Sequence, residues 1–142
     1  MANFFKLAGY DYNDPRGDVS VDHEDGGIRL FVNVYASTDN GEVPYECREA
    51  AVEQVEGIFL KVQSLQELVG KTLVWETEEN EYGYAGVLNV VEYEVLSKAE
   101  FTVERIEDGM MTVYWKGIGN IGWSSPFNVN VPFETRVTVP LP

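Results

Sequence analysis

Ile28-Arg29-Leu30-Phe31-Val32-Asn33-Val34-Tyr35-Ala36 alternates with a period of two. Ile28, Leu30, Val32 and Val34 share one face and Arg29, Phe31, Asn33 and Tyr35 the other, the pattern of a half-buried strand. Asp39-Asn40-Gly41 follows and takes up left-handed backbone at low cost, so a tight turn ends the strand. Further strands are predicted over Lys71 to Glu76, Gly86 to Leu96, Ala99 to Ile106, Met110 to Lys116 and Phe133 to Val139. Asp108-Gly109 separates two of these and is the strongest hairpin signal in the chain, so the C-terminal half reads as a meander.

Helix is scarce. Ser64-Leu65-Gln66-Glu67 forms a capping box and Gly70 a stop, which predicts one short helix over Leu65 to Val69 with Leu65, Leu68 and Val69 facing inward. Pro44 to Glu56 has two readings. Cys47, Ala51 and Val55 recur at helical spacing, with Gly57 as a stop, and predict a helix over 45–55. The competing reading is a strand through Val52 to Val62, where Ile58, Leu60 and Val62 alternate. Asp11 to Gly27, rich in Asp and Gly, and Gly117 to Pro132 read as long loops.

No repeat, low-complexity tract or linker divides residues 1–142, a length that suits one domain with a single core. At 44% hydrophobic and 13% aromatic, the chain has the apolar content to offset the entropy of folding. The expected fold is mainly β with minor α: an antiparallel β-sandwich or strongly bent sheet carrying one or two short helices.

Cys47 is the single cysteine, which excludes an intramolecular disulfide and a multi-cysteine metal site and fits a reducing compartment. Met1 to Tyr10 is interrupted by Asn3, Lys6 and Gly9 and lacks the unbroken apolar core of a secretory signal. No stretch approaches the roughly 20 apolar residues that span a membrane. The expectation is a soluble cytoplasmic protein.

The charge is lopsided. Residues 1–100 hold 20 of the 24 acids against seven Lys and Arg, whereas residues 101–142 hold four acids against three bases. Direct nucleic-acid binding and anionic membranes are disfavoured, because contacts to phosphate need basic residues and this chain has ten, scattered. A basic protein partner is favoured instead.

The motifs carry little chemistry. Gly117-Ile118-Gly119-Asn120-Ile121-Gly122 matches the dinucleotide fingerprint, but Pro126 and Pro132 leave no helix to receive a phosphate and no acid follows to hold a ribose. It reads as a glycine-rich turn or bulge. His23, the single histidine, lies in Asp22-His23-Glu24-Asp25, whose neighbours point to alternate faces of an extended chain and so do not converge on a metal. No nucleophile accompanies it. Arg16-Gly17-Asp18 matches an adhesion tripeptide and reads as a turn. Trp75 and Trp115 fall in strands and read as core, whereas Trp123 is either a lid or, with Phe127, a sugar-stacking platform. No catalytic residue, metal or cofactor is assigned.

The acids concentrate at two places. Glu76-Thr77-Glu78-Glu79-Asn80-Glu81-Tyr82-Gly83-Tyr84 reads as a strand-to-strand tip, in which Glu76, Glu78, Glu79 and Glu81 accept from basic side chains while Tyr82 and Tyr84 supply rigid contact area. Asp22, Glu24 and Asp25 form the second patch, and Glu92 and Glu94 are expected to share one face of the strand after the tip. The resulting expectation is a non-enzymatic acidic inhibitor, of the toxin-immunity or phage anti-defence type. It would occlude the positive surface of a toxin nuclease or a nucleic-acid-binding defence complex. The alternative is a structural or interaction module, a β-sandwich that forms oligomers or binds carbohydrate or peptide.

Overall fold

The alternation over Ile28–Ala36 is realised as strand β3 (Gly27–Ser37), with Ile28, Leu30, Val32 and Val34 no more than 1% exposed and Arg29, Phe31, Asn33 and Tyr35 half-buried on the other face. The structure, a computed structural model, describes residues 2–142. It is mainly β, and every strand pair is antiparallel.

The stretch expected to be a loop from Asp11 is a strand, β2 (Tyr10–Glu24), paired with β3 from Arg16↔Tyr35 to Glu24↔Gly27. A bulge hid it. The register shifts between Asn13 and Arg16, where Asp14 takes φ 51°. Buried Tyr12 precedes the bulge at an even position and buried Val19 follows it at an odd one, so no single alternation runs through the segment. Arg16-Gly17-Asp18 is therefore strand and not turn. A Cβ on Gly17 would sit 2.4 Å from the Asn33 carbonyl oxygen, an approach that only glycine permits.

The helix expected over 45–55 is also replaced. Tyr45–Cys47 makes one 3₁₀ turn, and β4 (Glu49–Glu53) then pairs with β3 on one side and with β9 (Val87–Asn89) on the other. Ala50 and Val52 point into the core while Glu49, Ala51 and Glu53 take the outer face, where the small Ala51 is buried between its neighbours, and Val55, the expected third helical contact, is 58% exposed. The single strand expected over Gly86 to Leu96 is a hairpin of β9 and β10 (Tyr93–Val95), turning at Val90–Glu92 without Gly or Pro to announce it. Glu92 thus lies in a turn and Glu94 in a strand, and the shared face expected of them does not exist.

Other expectations are met. β11 (Lys98–Glu107) and β12 (Met110–Gly119) form a hairpin at Asp108-Gly109, both at positive φ (53° and 74°) as a type I′ turn requires. β6 (Thr72–Trp75) pairs with β11, and β12 pairs with β13 (Val131–Pro140). Leu65–Leu68 is a 3₁₀ helix started by the Glu67 carboxylate, which accepts from the Gln63 and Ser64 amides at 2.7 and 2.9 Å. Leu68 points into the core. The glycine motif differs in part: Gly117–Gly119 continues β12, and only the residues after it leave the strand.

β1 (Phe4–Leu7) and β5 (Ile58–Leu60) complete one eleven-stranded sheet in the order β10-β9-β4-β3-β2-β1-β13-β12-β11-β6, with β5 beside β3. β2 joins its halves, pairing β1 through Tyr10–Tyr12 and β3 after the bulge. The halves share one core. Trp115 meets Phe101 and Phe133 edge-on at 5.5 and 5.9 Å, and from the other half Gly86 comes so near that a Cβ there would lie 2.8 Å from the indole. The separate two-stranded ribbon of β7 (Glu79–Asn80) and β8 (Gly83–Tyr84) is the acidic tip.

Candidate functional site

The face of β2-β3-β4-β9-β10 turned away from the core is built in cross-strand rows. One row runs Asp18, Asn33, Glu53, Val87 and Val95, and the next Arg16, Tyr35, Ala51, Asn89 and Tyr93. Amides link the carboxylates: Asn33 Nδ2 donates to Asp18 at 3.1 Å and Asn89 Nδ2 to Glu53 at 3.3 Å. Burial, followed by the negative charges of Asp18 and Glu53, raises the Tyr35 phenol above its ordinary pKa.

Across these strands runs an open groove of about 910 Å³. Asp22, Glu53 and Glu56 supply carboxylates, Phe31, Tyr84 and Tyr93 supply rings, and among the described residues no Lys or Arg lines it. Tyr84 and Tyr93 are 44% and 64% exposed. Gln54, only 3% exposed, also lines the groove where β4 parts from β3. Its Oε1 accepts from the Val32 amide at 3.1 Å, taking the place of a strand carbonyl, and its Nε2 has no acceptor among the described residues. Asn33 Oδ1 likewise has no donor.

The structure brings together only some of the residues expected from sequence. Asp22 and Tyr84, from different acidic stretches, both line the groove. Glu24 is paired with Arg29 at 2.8 Å, and Asp25 lies exposed in the β2–β3 turn. Glu76, Glu78, Glu79 and Glu81 are exposed on a tip held firmly: Trp75 Nε1 donates to the Gly83 carbonyl at 2.9 Å, and Asn80 Nδ2 to the Val74 carbonyl at 2.8 Å. Glu76 itself borders a different cleft, shared with Lys6, Lys98 and Lys116. Tyr82 is half-buried with its ring edge-on to Trp75 at 5.9 Å, so it covers core and offers little contact area. Among the described residues, none of Asp22, Glu53, Glu56, Glu76, Glu78, Glu79 and Glu81 has a basic nitrogen within 4.0 Å.

Sequence reasoning missed Asp18, Asn33, Glu53, Gln54, Glu56 and Tyr93. The alternation of β3 placed Asn33 on the outer face, which was a usable signal. Gln54 gave none, because its segment reads as helical. The aromatic platform of Trp123 and Phe127 does not form: Phe127 is fully buried and stacks on Tyr10 at 5.7 Å, leaving Trp123 alone at 39% exposure. Trp75 and Trp115 are core. Among the described residues no three His, Cys, Asp or Glu side chains are grouped to hold a metal, and no helix is long and apolar enough to cross a membrane.

Comparison with protein-family models, with curated proteins and with solved structures returns no match for this chain.

Proposed function

We propose that this protein is a non-enzymatic cytoplasmic inhibitor that binds a basic, nucleic-acid-processing protein and covers its positive surface, as toxin-immunity and phage anti-defence proteins do. The observation that carries this reading is the set of carboxylates without basic partners around the aromatic groove. Carboxylates left unpaired on a folded surface cost stability through mutual repulsion and attract a positive partner over long range. Along β2, Asp18 and Asp22 lie on the outer face at multiples of the two-residue strand repeat, about 6.6 Å. Unpaired carboxylates held about 13 Å apart on a rigid sheet present fixed negative charge to a basic surface that otherwise binds phosphate. The exposed tyrosines also support a second reading, an interaction module that takes a carbohydrate or a peptide.

Capture of a basic protein from the source lysate, followed by titration at about 50 and about 300 mM salt, tests the charge mechanism. Affinity should fall at least about tenfold over that range, and a stoichiometric amount of this protein should abolish nucleic-acid binding by the captured partner. Salt-independent affinity, or a partner that still binds nucleic acid in the complex, refutes the inhibitor reading.

A further inference from the structure

The sheet ends on two strands, β6 and β10, and the fold treats their outer edges differently. The edge of β6 is capped: its Val74 carbonyl accepts from Asn80 Nδ2 at 2.8 Å, and Trp75 Nε1 ties the acidic ribbon down through the Gly83 carbonyl. Among the described residues nothing caps β10. The Leu96 amide donates to the Gly86 carbonyl at 2.9 Å, so in antiparallel register Glu94 is the bonded partner of Leu88. The N–H and C=O groups of Tyr93 and Val95 therefore turn away from β9, onto the open edge, where they have no partner among the described residues. Their side chains stand on the outer face, 64% and 37% exposed. Proteins guard such an edge with proline, lysine, a bulge, a cover or an inward-pointing charge, because it otherwise accepts another strand. β10 has the last of these. Glu94, opposite buried Leu88, lies on the core-side face of the strand, and no basic nitrogen comes within 4.0 Å of it.

We infer that the β10 edge receives an extended segment of the basic partner as an added antiparallel strand, with Lys or Arg across from Glu94 and apolar residues across from Tyr93 and Val95. The inference rests on the reading above and adds the edge, the backbone form and the side-chain pattern of what binds. Two residues of the segment exchange main-chain bonds with Tyr93 and Val95 and set their side chains beside these two on the outer face. The residue between them takes the opposite face, next to Glu94, so the segment alternates apolar and basic. Charge complementarity selects this occupant. A second copy of the chain does not fit, because β10 paired with β10 in this pattern sets Glu94 directly against Glu94, on two molecules that each carry a net charge of −14. Glu92, exposed in the turn at the end of the edge, and Glu53, on the cross-strand row of Val95, add charge of the same sign, and neither has a basic partner among the described residues. The same carboxylates repel a polyanion, and a carbohydrate has no alternating amides to match the edge.

The test uses the intact protein and the peptide acetyl-Lys-Val-Lys-Val-Lys-amide, whose central lysine faces Glu94 when its valines pair with Tyr93 and Val95. Binding is followed by amide NMR shifts and hydrogen exchange. The expected result is saturable shifts centred on Tyr93, Glu94 and Val95, with exchange of the Tyr93 and Val95 amides slowed at least threefold as they bond to the added strand. Methylating the two valine nitrogens removes the donors to the edge and should weaken binding at least tenfold, whereas methylating the central lysine nitrogen, which faces away from β10, should change it less than about twofold. Acetyl-Glu-Val-Glu-Val-Glu-amide should bind at least tenfold more weakly than the lysine peptide. Glu94→Lys should weaken the lysine peptide at least fivefold at an unchanged melting temperature, since Glu94 has no ion pair to lose. Shifts elsewhere or nowhere, equal binding of the valine-methylated or the glutamate peptide, no effect of Glu94→Lys, or a dimer with these amides already protected overturns the inference. Failure here is separable from failure of the inhibitor reading. If a captured basic partner leaves the Tyr93 and Val95 amides exchanging as in the free protein, the edge is wrong and the inhibitor stands. If no salt-sensitive partner exists, the inhibitor falls whatever the peptide shows.

Discussion

Replacing Gly117 with alanine puts a Cβ 2.5 Å from the Lys98 carbonyl oxygen and 2.9 Å from the Phe133 ring. Real Cβ contacts stay beyond 3.0 Å, so β11 and β12 must part by about half an ångström, and the obstacle is backbone that no rotamer change removes. Forced separation of this kind costs about 3 kcal/mol. At roughly 4 °C per kcal/mol for a chain of this size, the melting temperature falls by about 12 °C. Two neighbours in the same motif calibrate the argument. Gly119→Ala meets only side-chain atoms, Leu96 at 3.1 Å and Leu88 at 3.2 and 3.3 Å, and needs a shift of a few tenths of an ångström with no backbone in the way, so it costs about 1 kcal/mol. Gly122 has nothing within 4 Å but sits at φ 80°, so Gly122→Ala costs about 1 kcal/mol from backbone strain alone. Thermal unfolding followed by circular dichroism, with denaturant midpoints as a check, ranks the three. Equal losses at all three, or a Gly117→Ala protein as stable as its parent, would refute the argument that the Lys98 backbone leaves no room for a side chain at Gly117.

Three further outcomes are expected. Stability should decline at alkaline pH: burial raises the phenols of Tyr12 and Tyr114, with Glu134 adding to the rise of Tyr114 to about 12, so the fold favours the neutral form. That contribution is complete below the ordinary tyrosine value of 10.0 and is lost as pH climbs towards 12, so urea midpoints should fall between about pH 9.5 and about 12, and a flat profile contradicts the assignment. Cys47 is fully buried, and its thiol is pushed up by burial and by Glu46, so a disulfide reagent at about pH 8 should modify it only at the rate of unfolding; fast labelling of native protein would disprove this. Charge reversal of Glu78, Glu79 and Glu81 to Lys takes the net charge from −14 to −8 and breaks no ion pair, so stability should hold or rise slightly. If the tip meets the basic partner, association in stopped flow should slow at least about tenfold at low salt, and an unchanged rate places the contact elsewhere.

The legible features of this chain are those that a residue and its near neighbours settle. Period-two alternation marked β3 and its inward face, and Asp108-Gly109 marked the β11–β12 hairpin, because side-chain direction and tolerance of positive φ are local properties. The capping box at Ser64–Glu67 was legible for the same reason. β4 was not. Its outward positions Glu49, Ala51 and Glu53 alternate with inward Ala50 and Val52, but the small, buried Ala51 between the two glutamates blurs the period, and the helical spacing of Cys47, Ala51 and Val55 outweighed it. β2 was obscured by its bulge, which exchanges the inward and outward positions within one strand.

The candidate site divides along the same line. Composition placed the excess of acid in the first 100 residues, and local sequence named Asp22 and Tyr84 as contacts for a partner. Only the tertiary structure decided that these two share a groove, that Glu24 is neutralised by Arg29, that Tyr82 turns towards Trp75, and that Glu53 and Gln54 complete the surface. A carboxylate's role depends on which charge lies within a few ångströms of it. That distance is set by strand order and register, which join residues as far apart in the chain as Ala51 and Asn89.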